Sequence, residues 1–167
     1  AGGDEVYKIV AGTTLTISNL NSGAGTVGQQ SSIKTIATHG NSILAAGDNG
    51  VRFSTDGGVN WLTKTPPAGT VNSVDFDAND NNIMYLSISG YTNGNKIYKS
   101  TDGGANFTNI SGDLPNIVMK EVLFKQNQNS EYLFAATELG VYFISNGGAN
   151  CKRLGTGMPM LDVKDID

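Results

Sequence analysis

Ser54-Thr55-Asp56-Gly57-Gly58-Val59-Asn60-Trp61 returns as Ser100-Thr101-Asp102-Gly103-Gly104-Ala105-Asn106-Phe107 and, altered, as Ile144-Ser145-Asn146-Gly147-Gly148-Ala149-Asn150-Cys151. Asp56 and Asp102 are 46 residues apart, and Asp102 and Asn146 are 44. Recurrence at that spacing marks a repeat architecture. Short runs rich in β-branched and aromatic residues surround each copy. In the first unit they are Ile33–Thr38, Ile43–Ala46, Val51–Ser54 and Trp61–Lys64, punctuated by His39-Gly40-Asn41 and Gly47-Asp48-Asn49-Gly50 and closed by Pro66-Pro67. The same order recurs in the second and third units, so each unit holds four hairpin-linked strands.

One such sheet cannot bury both faces alone. Stacked around an axis, each sheet covers its neighbour, and the pattern therefore predicts an all-β chain folded as a β-propeller of four-stranded blades. Second strands that are apolar on consecutive residues, such as Ile43-Leu44-Ala45-Ala46, fit a strand covered on both sides. The expected division is 1–30, a partial blade or N-terminal strands (Glu5–Val10 and Thr13–Ile17); 31–69, 70–116 and 117–160, three blades; and 161–167, the first strand of a further blade. Blades in that number do not close a ring, so part of a larger propeller of about six to eight blades is expected. A rival arrangement is a four-blade ring in which residues 161–167 pair with the N-terminal strands.

The composition narrows the function classes. With 167 residues, 38% apolar and 16% charged residues, 22 glycines and 4 prolines, the chain reads as turn-rich β protein. A net charge of −4 without any basic run gives no nucleic-acid footprint. No apolar stretch nears the ~20 residues of a membrane span. Cys151 is the single cysteine, which excludes an internal disulfide and a cysteine metal site. Ala1 rather than Met opens the chain, so any targeting peptide is expected to have been removed.

Ser-x-Asp-x-Gly-x-x-Trp/Phe resembles the Asp-box, or BNR repeat, found in sialidases, xyloglucan-cleaving glycoside hydrolases, sortilin-type receptors, photosystem assembly factors and secreted proteins of gliding and gut bacteria. The resemblance covers roughly residues 31–160, and Leu139–Gly148 looks most like the bacterial secreted branch. It implies an extracellular or cell-surface bacterial protein whose Asp-boxes lie on the rim, away from the ligand face. Ser54, Asp56, Gly58 and Trp61, with Ser100, Asp102, Gly104 and Phe107, are then structural. The carboxylate accepts backbone N–H bonds, glycine supplies angles other residues resist, and the aromatic packs between sheets. The third copy keeps Gly148 but has Asn146 for Asp and Cys151 for the aromatic, so its plug is weaker.

A sialidase-like site would need a trio of arginines, and the chain has only Arg52 and Arg153. A xyloglucanase-like site would need two acids facing a cleft. Asp75 and Asp77 alternate on a first strand expected to line the axis and are the acid candidates, with a solvated strand-end or turn role as the alternative. The family's glycine-rich opening segment, which carries one catalytic acid, is absent. Asp77-Ala78-Asn79-Asp80-Asn81-Asn82 fails as an EF-hand calcium loop because Asn82 and Ile88 stand where Gly and Glu are required. His39, the only histidine, is expected in an exposed turn. Tyr91, between Gly90 and Asn93, is the one aromatic placed to serve as a free ligand platform.

The expected function is a non-catalytic secreted or cell-surface module for binding, adhesion or scaffolding. The alternative is a fragment of a xyloglucanase-like glycoside hydrolase with catalytic residues mostly outside the chain. Expected partners are a polysaccharide, another surface protein, or the remaining blades of a larger chain. No nucleic acid, membrane span, cofactor or metal is expected.

Overall fold

The computed structural model describes residues 33–48, 50–127, 130–145, 148–155, 157 and 159–166, with the backbone of 7–10 and 16–19. Strands β1 (Tyr7–Val10) and β2 (Thr16–Asn19) form a two-stranded antiparallel sheet. Three four-stranded antiparallel sheets follow in sequence order. The first contains β3 (Ile33–His39), β4 (Ser42–Gly47), β5 (Gly50–Ser54) and β6 (Leu62–Lys64). The second contains β7 (Val71–Phe76), β8 (Met84–Ile88), β9 (Ile97–Ser100) and β10 (Thr108–Asn109). The third contains β11 (Met119–Asn127), β12 (Ser130–Thr137), β13 (Gly140–Ser145) and β14 (Asn150–Arg153).

The leading strands lie side by side, β3 beside β7 and β7 beside β11, so the sheets radiate as blades from a shared axis. This is β-propeller architecture. Every residue of β4 and β8 is buried, as required of strands covered on both faces. Leu44, Val51 and Phe53 of the first blade interlock with Val74, Phe76, Met84 and Leu86 of the second. Tyr85 and Ile97 of the second meet Val122, Phe124, Leu133 and Ile144 of the third, with the Tyr85 and Phe124 rings stacked at 4.9 Å.

Each leading strand carries a register shift at its start: between Ile33 and Thr35, between Val71 and Ser73, and between Met119 and Glu121. A bulge of this kind leaves one residue unpaired and re-aims its side chain. The residue after the shift faces the next blade. Thr35 Oγ1 accepts from Val74 N (3.4 Å), and Ser73 Oγ accepts from Val122 N (3.1 Å). Asn72 Nδ2 donates to Met119 O and Lys120 O (3.0 and 2.6 Å).

Residues 161–166 depart from the expected strand: they carry no strand ladder. They are held by individual bonds instead, Val163 N to Thr137 O (3.0 Å) and Ile166 N to Glu121 Oε2 (2.8 Å). The rival four-blade ring is not formed among the described residues, because β1 and β2 pair only with each other. Most of the expected unit 1–30 lies outside the described residues. Arg153 fastens the segment after β14, donating from Nε to Leu139 O and from Nη2 to Pro159 O (3.0 and 2.9 Å).

Backbones of the second and third blades touch at two glycines. A Cβ on Gly148 (φ 96°) would stand 2.1 Å from Ile110 O, and one on Gly112 would stand 1.7 Å from Gly148 O. Gly157 has a similar φ of 86° with open space around it. Gly157→Ala is therefore expected to cost about 1 kcal/mol from backbone strain alone. Gly148→Ala should cost several-fold more, because backbone must shift. Paired thermal melts of the two variants check this, and equal losses would show that the close approach is not constraining.

Candidate functional site

The two ends of the blades are chemically different. At one end, the Ser-x-Asp turns sit beside the first hairpin of their own blades: Gly57 N bonds to Asn41 O and Gly103 N to Asn82 O (2.8 and 2.9 Å). Ser54 Oγ donates to Asp56 Oδ1 (2.8 Å) and accepts from Gly58 N (2.9 Å). Asp56 then accepts from Asn60 N and Asn60 Nδ2 (2.9 and 2.7 Å). Ser100, Asp102, Gly104 and Asn106 repeat these bonds within 0.1 Å. Bonds from Asn106 and Ser100 hold the Asp102 carboxyl down at about 2, and the same set from Asn60 and Ser54 lowers Asp56. Trp61 is 3% exposed, packs with Ile33, Ile43 and Ala45, and donates from Nε1 to Gly58 O (3.0 Å). Phe107 is half-buried against the core between the first two blades. Cys151 occupies the matching place between the second and third, and burial followed by the nearby Asp113 pushes its thiol up to about 11. Asn146 lies outside the described residues.

The structure gives Asp75 and Asp77 other work. Asp75 reaches across to the third blade: Oδ2 accepts from Phe124 N (2.7 Å) and Oδ1 from Phe76 N (2.8 Å). Burial raises its pKa, outweighing those bonds. Asp77, 4% exposed, caps its own hairpin loop by accepting from Asn79 N and Asp80 N. Neither lines the polar cleft described below. His39 is half-buried rather than free, with Nε2 bonded to Ala78 O of the second blade (3.1 Å). Tyr91 is exposed, yet its hydroxyl donates to Glu138 Oε2 at 2.6 Å, linking the second blade to the third. That bond and one from Val118 N hold Glu138 below the usual carboxylate range, and the bond to Glu138 pushes the Tyr91 hydroxyl up.

At the opposite end of the leading strands lies an open polar cleft of about 370 Å³. Its wall is built from the polar pair that follows a buried apolar residue at the start of each leading strand, Lys34-Thr35 after Ile33, Asn72-Ser73 after Val71 and Lys120-Glu121 after Met119, with Lys164-Asp165 after the third blade. Lys34, Asn72 and Lys120 are the residues skipped by the strand register, and all three line the cleft. Lys34 pairs with Asp48 at 2.6 Å, while Asp162 lies 3.7 Å from Lys120 and 3.4 Å from Lys164. All are at least partly exposed, so each pair is worth about 0–1 kcal/mol and can be exchanged for a ligand's polar groups. The sequence reading missed this site. Its signal was the apolar–Lys/Asn–polar triplet recurring at the start of each unit.

No family model matches the chain, and no curated protein does. Among solved structures it is similar to an ancestral GH74 enzyme, with a TM-score of 0.58 and 17% identity over 94% of this chain and 25% of that one. It is also similar to YCF48 bound to a D1 peptide, with a TM-score of 0.47 and 19% identity over 74% of this chain and 36% of that one. The chain thus spans a quarter of the first and about a third of the second. The GH74 likeness agrees with the propeller fold.

Two outcomes follow from these carboxyl environments. Asp75→Ala orphans the Phe124 N–H between blades and should cost about 1–3 kcal/mol in chemical denaturation, with Asp75→Asn milder because one acceptor remains. Asp102, with its folded pKa lowered, contributes stability that is present above pH 3.8 and lost as pH falls through about 2. Asp102→Asn should be less stable than the parent at neutral pH. The gap in melting temperature should close between pH 4 and 2, whereas a gap independent of pH would deny the carboxylate that role.

Proposed function

We propose that the chain is a non-catalytic β-propeller module of a secreted or cell-surface bacterial protein, built on Asp-box (BNR) repeats, that binds a polysaccharide or another surface protein through its axial cleft. The observation that carries this reading is the convergence of Lys34, Asn72, Lys120 and Lys164 on one open polar cleft, at the end away from the aspartate turns. Secretion rests on the sequence resemblance. Glycoside hydrolysis needs two carboxyl groups facing one bond. The engagement of both acid candidates supports binding over bond cleavage: Asp75 accepts backbone N–H groups of two blades and Asp77 caps its own loop.

The fold shared with a GH74 enzyme supports a second reading, a segment of a glycoside hydrolase whose catalytic residues lie mostly outside this chain. Electrophoresis through gels cast with xyloglucan or other β-glucans, run beside a reducing-end assay, separates the two. Retardation without new reducing ends is expected. Lys120→Ala combined with Lys164→Ala should weaken it about tenfold, as two lost polar contacts of ~0.5–1.5 kcal/mol each would. Sugar release by the 167-residue chain would overturn the non-catalytic reading. Absence of retardation in every glucan points to a protein partner.

A further inference from the structure

The third blade has an outward face whose composition repeats that of a covered one. Strand register aligns the blades position by position. Thr35 pairs with Ala46 and Ala46 with Val51, as Glu121 pairs with Ala136 and Ala136 with Val141; Leu44 pairs with Phe53 as Phe134 pairs with Phe143. In the first blade Leu44, Val51 and Phe53 are 1%, 0% and 4% exposed, because the second blade lies on them. Their counterparts Phe134, Val141 and Phe143 are as apolar, yet only half-buried, and Leu123 beside them is half-buried too. The Phe134 and Phe143 rings meet at 5.6 Å, and Tyr132 extends the row at 5.2 Å from Phe143. Ile166 lines, with Leu123, Lys125, Phe134 and Val141, a cleft of about 200 Å³ on this surface.

The edge of this face carries the connection that opens each interface already formed. The residue after the bulge accepts from the N–H one place further along in the next unit: Thr35 from Val74, Ser73 from Val122, and Glu121 from Ile166. Val163-Lys164-Asp165 therefore stands where Val71-Asn72-Ser73 and Met119-Lys120-Glu121 stand in the second and third blades.

We propose that the outward face of the third blade, centred on Phe134, Val141 and Phe143, docks a fourth antiparallel blade of the same polypeptide, led by residues 161–166. This goes beyond the binding role and does not rest on it: the face is lateral, mostly apolar, and lined by none of the residues of the axial cleft. A second copy of the chain is the competing occupant. It is disfavoured because the chain's own residues already hold the leading-strand position at the edge of the face.

The test compares the 167-residue chain with the polypeptide as its source makes it, each carrying Phe143→Cys in a Cys151→Ser background. Maleimide labelling is timed under native conditions, with circular dichroism confirming the fold and Phe134→Cys as a second reporter. Labelling slower by about tenfold or more in the source polypeptide is expected, since thiol reactivity follows exposure. Equal rates in both proteins would overturn the proposal. So would a dimer of the 167-residue chain, seen by light scattering, in which labelling is already slow.

Discussion

Each leading strand has one edge paired into its own blade and one edge that is not, and an unpaired edge carries backbone groups that need partners. The chain meets that need with side chains. Thr35, Ser73 and Glu121 each accept an N–H from the following unit, and Asn72 returns two bonds to the carbonyls of Met119 and Lys120. A single such bond is worth only about 0.5–1.5 kcal/mol net, but a buried group left unpaired costs more. The contacts therefore fix which unit follows which, and at what register, more than they supply stability. One bulge serves both this stitching and the cleft. Lys34, Asn72 and Lys120, skipped by the register, line the cleft, and the residue after each accepts an N–H from the following unit. Cleft geometry and blade order cannot vary independently.

Much of the fold was legible because the turn chemistry is local. Ser54, Asp56 and Asn60 satisfy one another within seven residues, so their spacing announces the turn wherever it recurs. Strand identity followed from hairpin punctuation. The cleft was not legible by the same means. A bulge is a property of two paired strands, and Lys34, Lys120 and Lys164 read singly are ordinary surface lysines. Two contacts were hidden for a related reason: the partners of Tyr91 and Asp75, Glu138 and Phe124, lie 47 and 49 residues away, in the next blade. Residues 161–166 have the composition of a leading strand, but a strand also needs a partner to pair with.

The distribution of strained and relaxed electrostatics separates architecture from recognition. Carboxylates at the turn end are saturated by bonds from their own loop, and Asp75 is saturated by backbone from two strands. An acceptor already filled offers little to a ligand. At the cleft Lys34 pairs closely with Asp48, but the ions around Asp162 are different in kind. Asp162 is shared between Lys120 and Lys164 at distances beyond good hydrogen bonding, and Lys164 is 80% exposed. Such ions are solvated and weakly committed, so replacing water with a partner's polar groups costs little. The cleft's ionic contacts can be exchanged without undoing the fold, whereas removing Asp75 or the Asp102 carboxylate disrupts interactions within the protein itself.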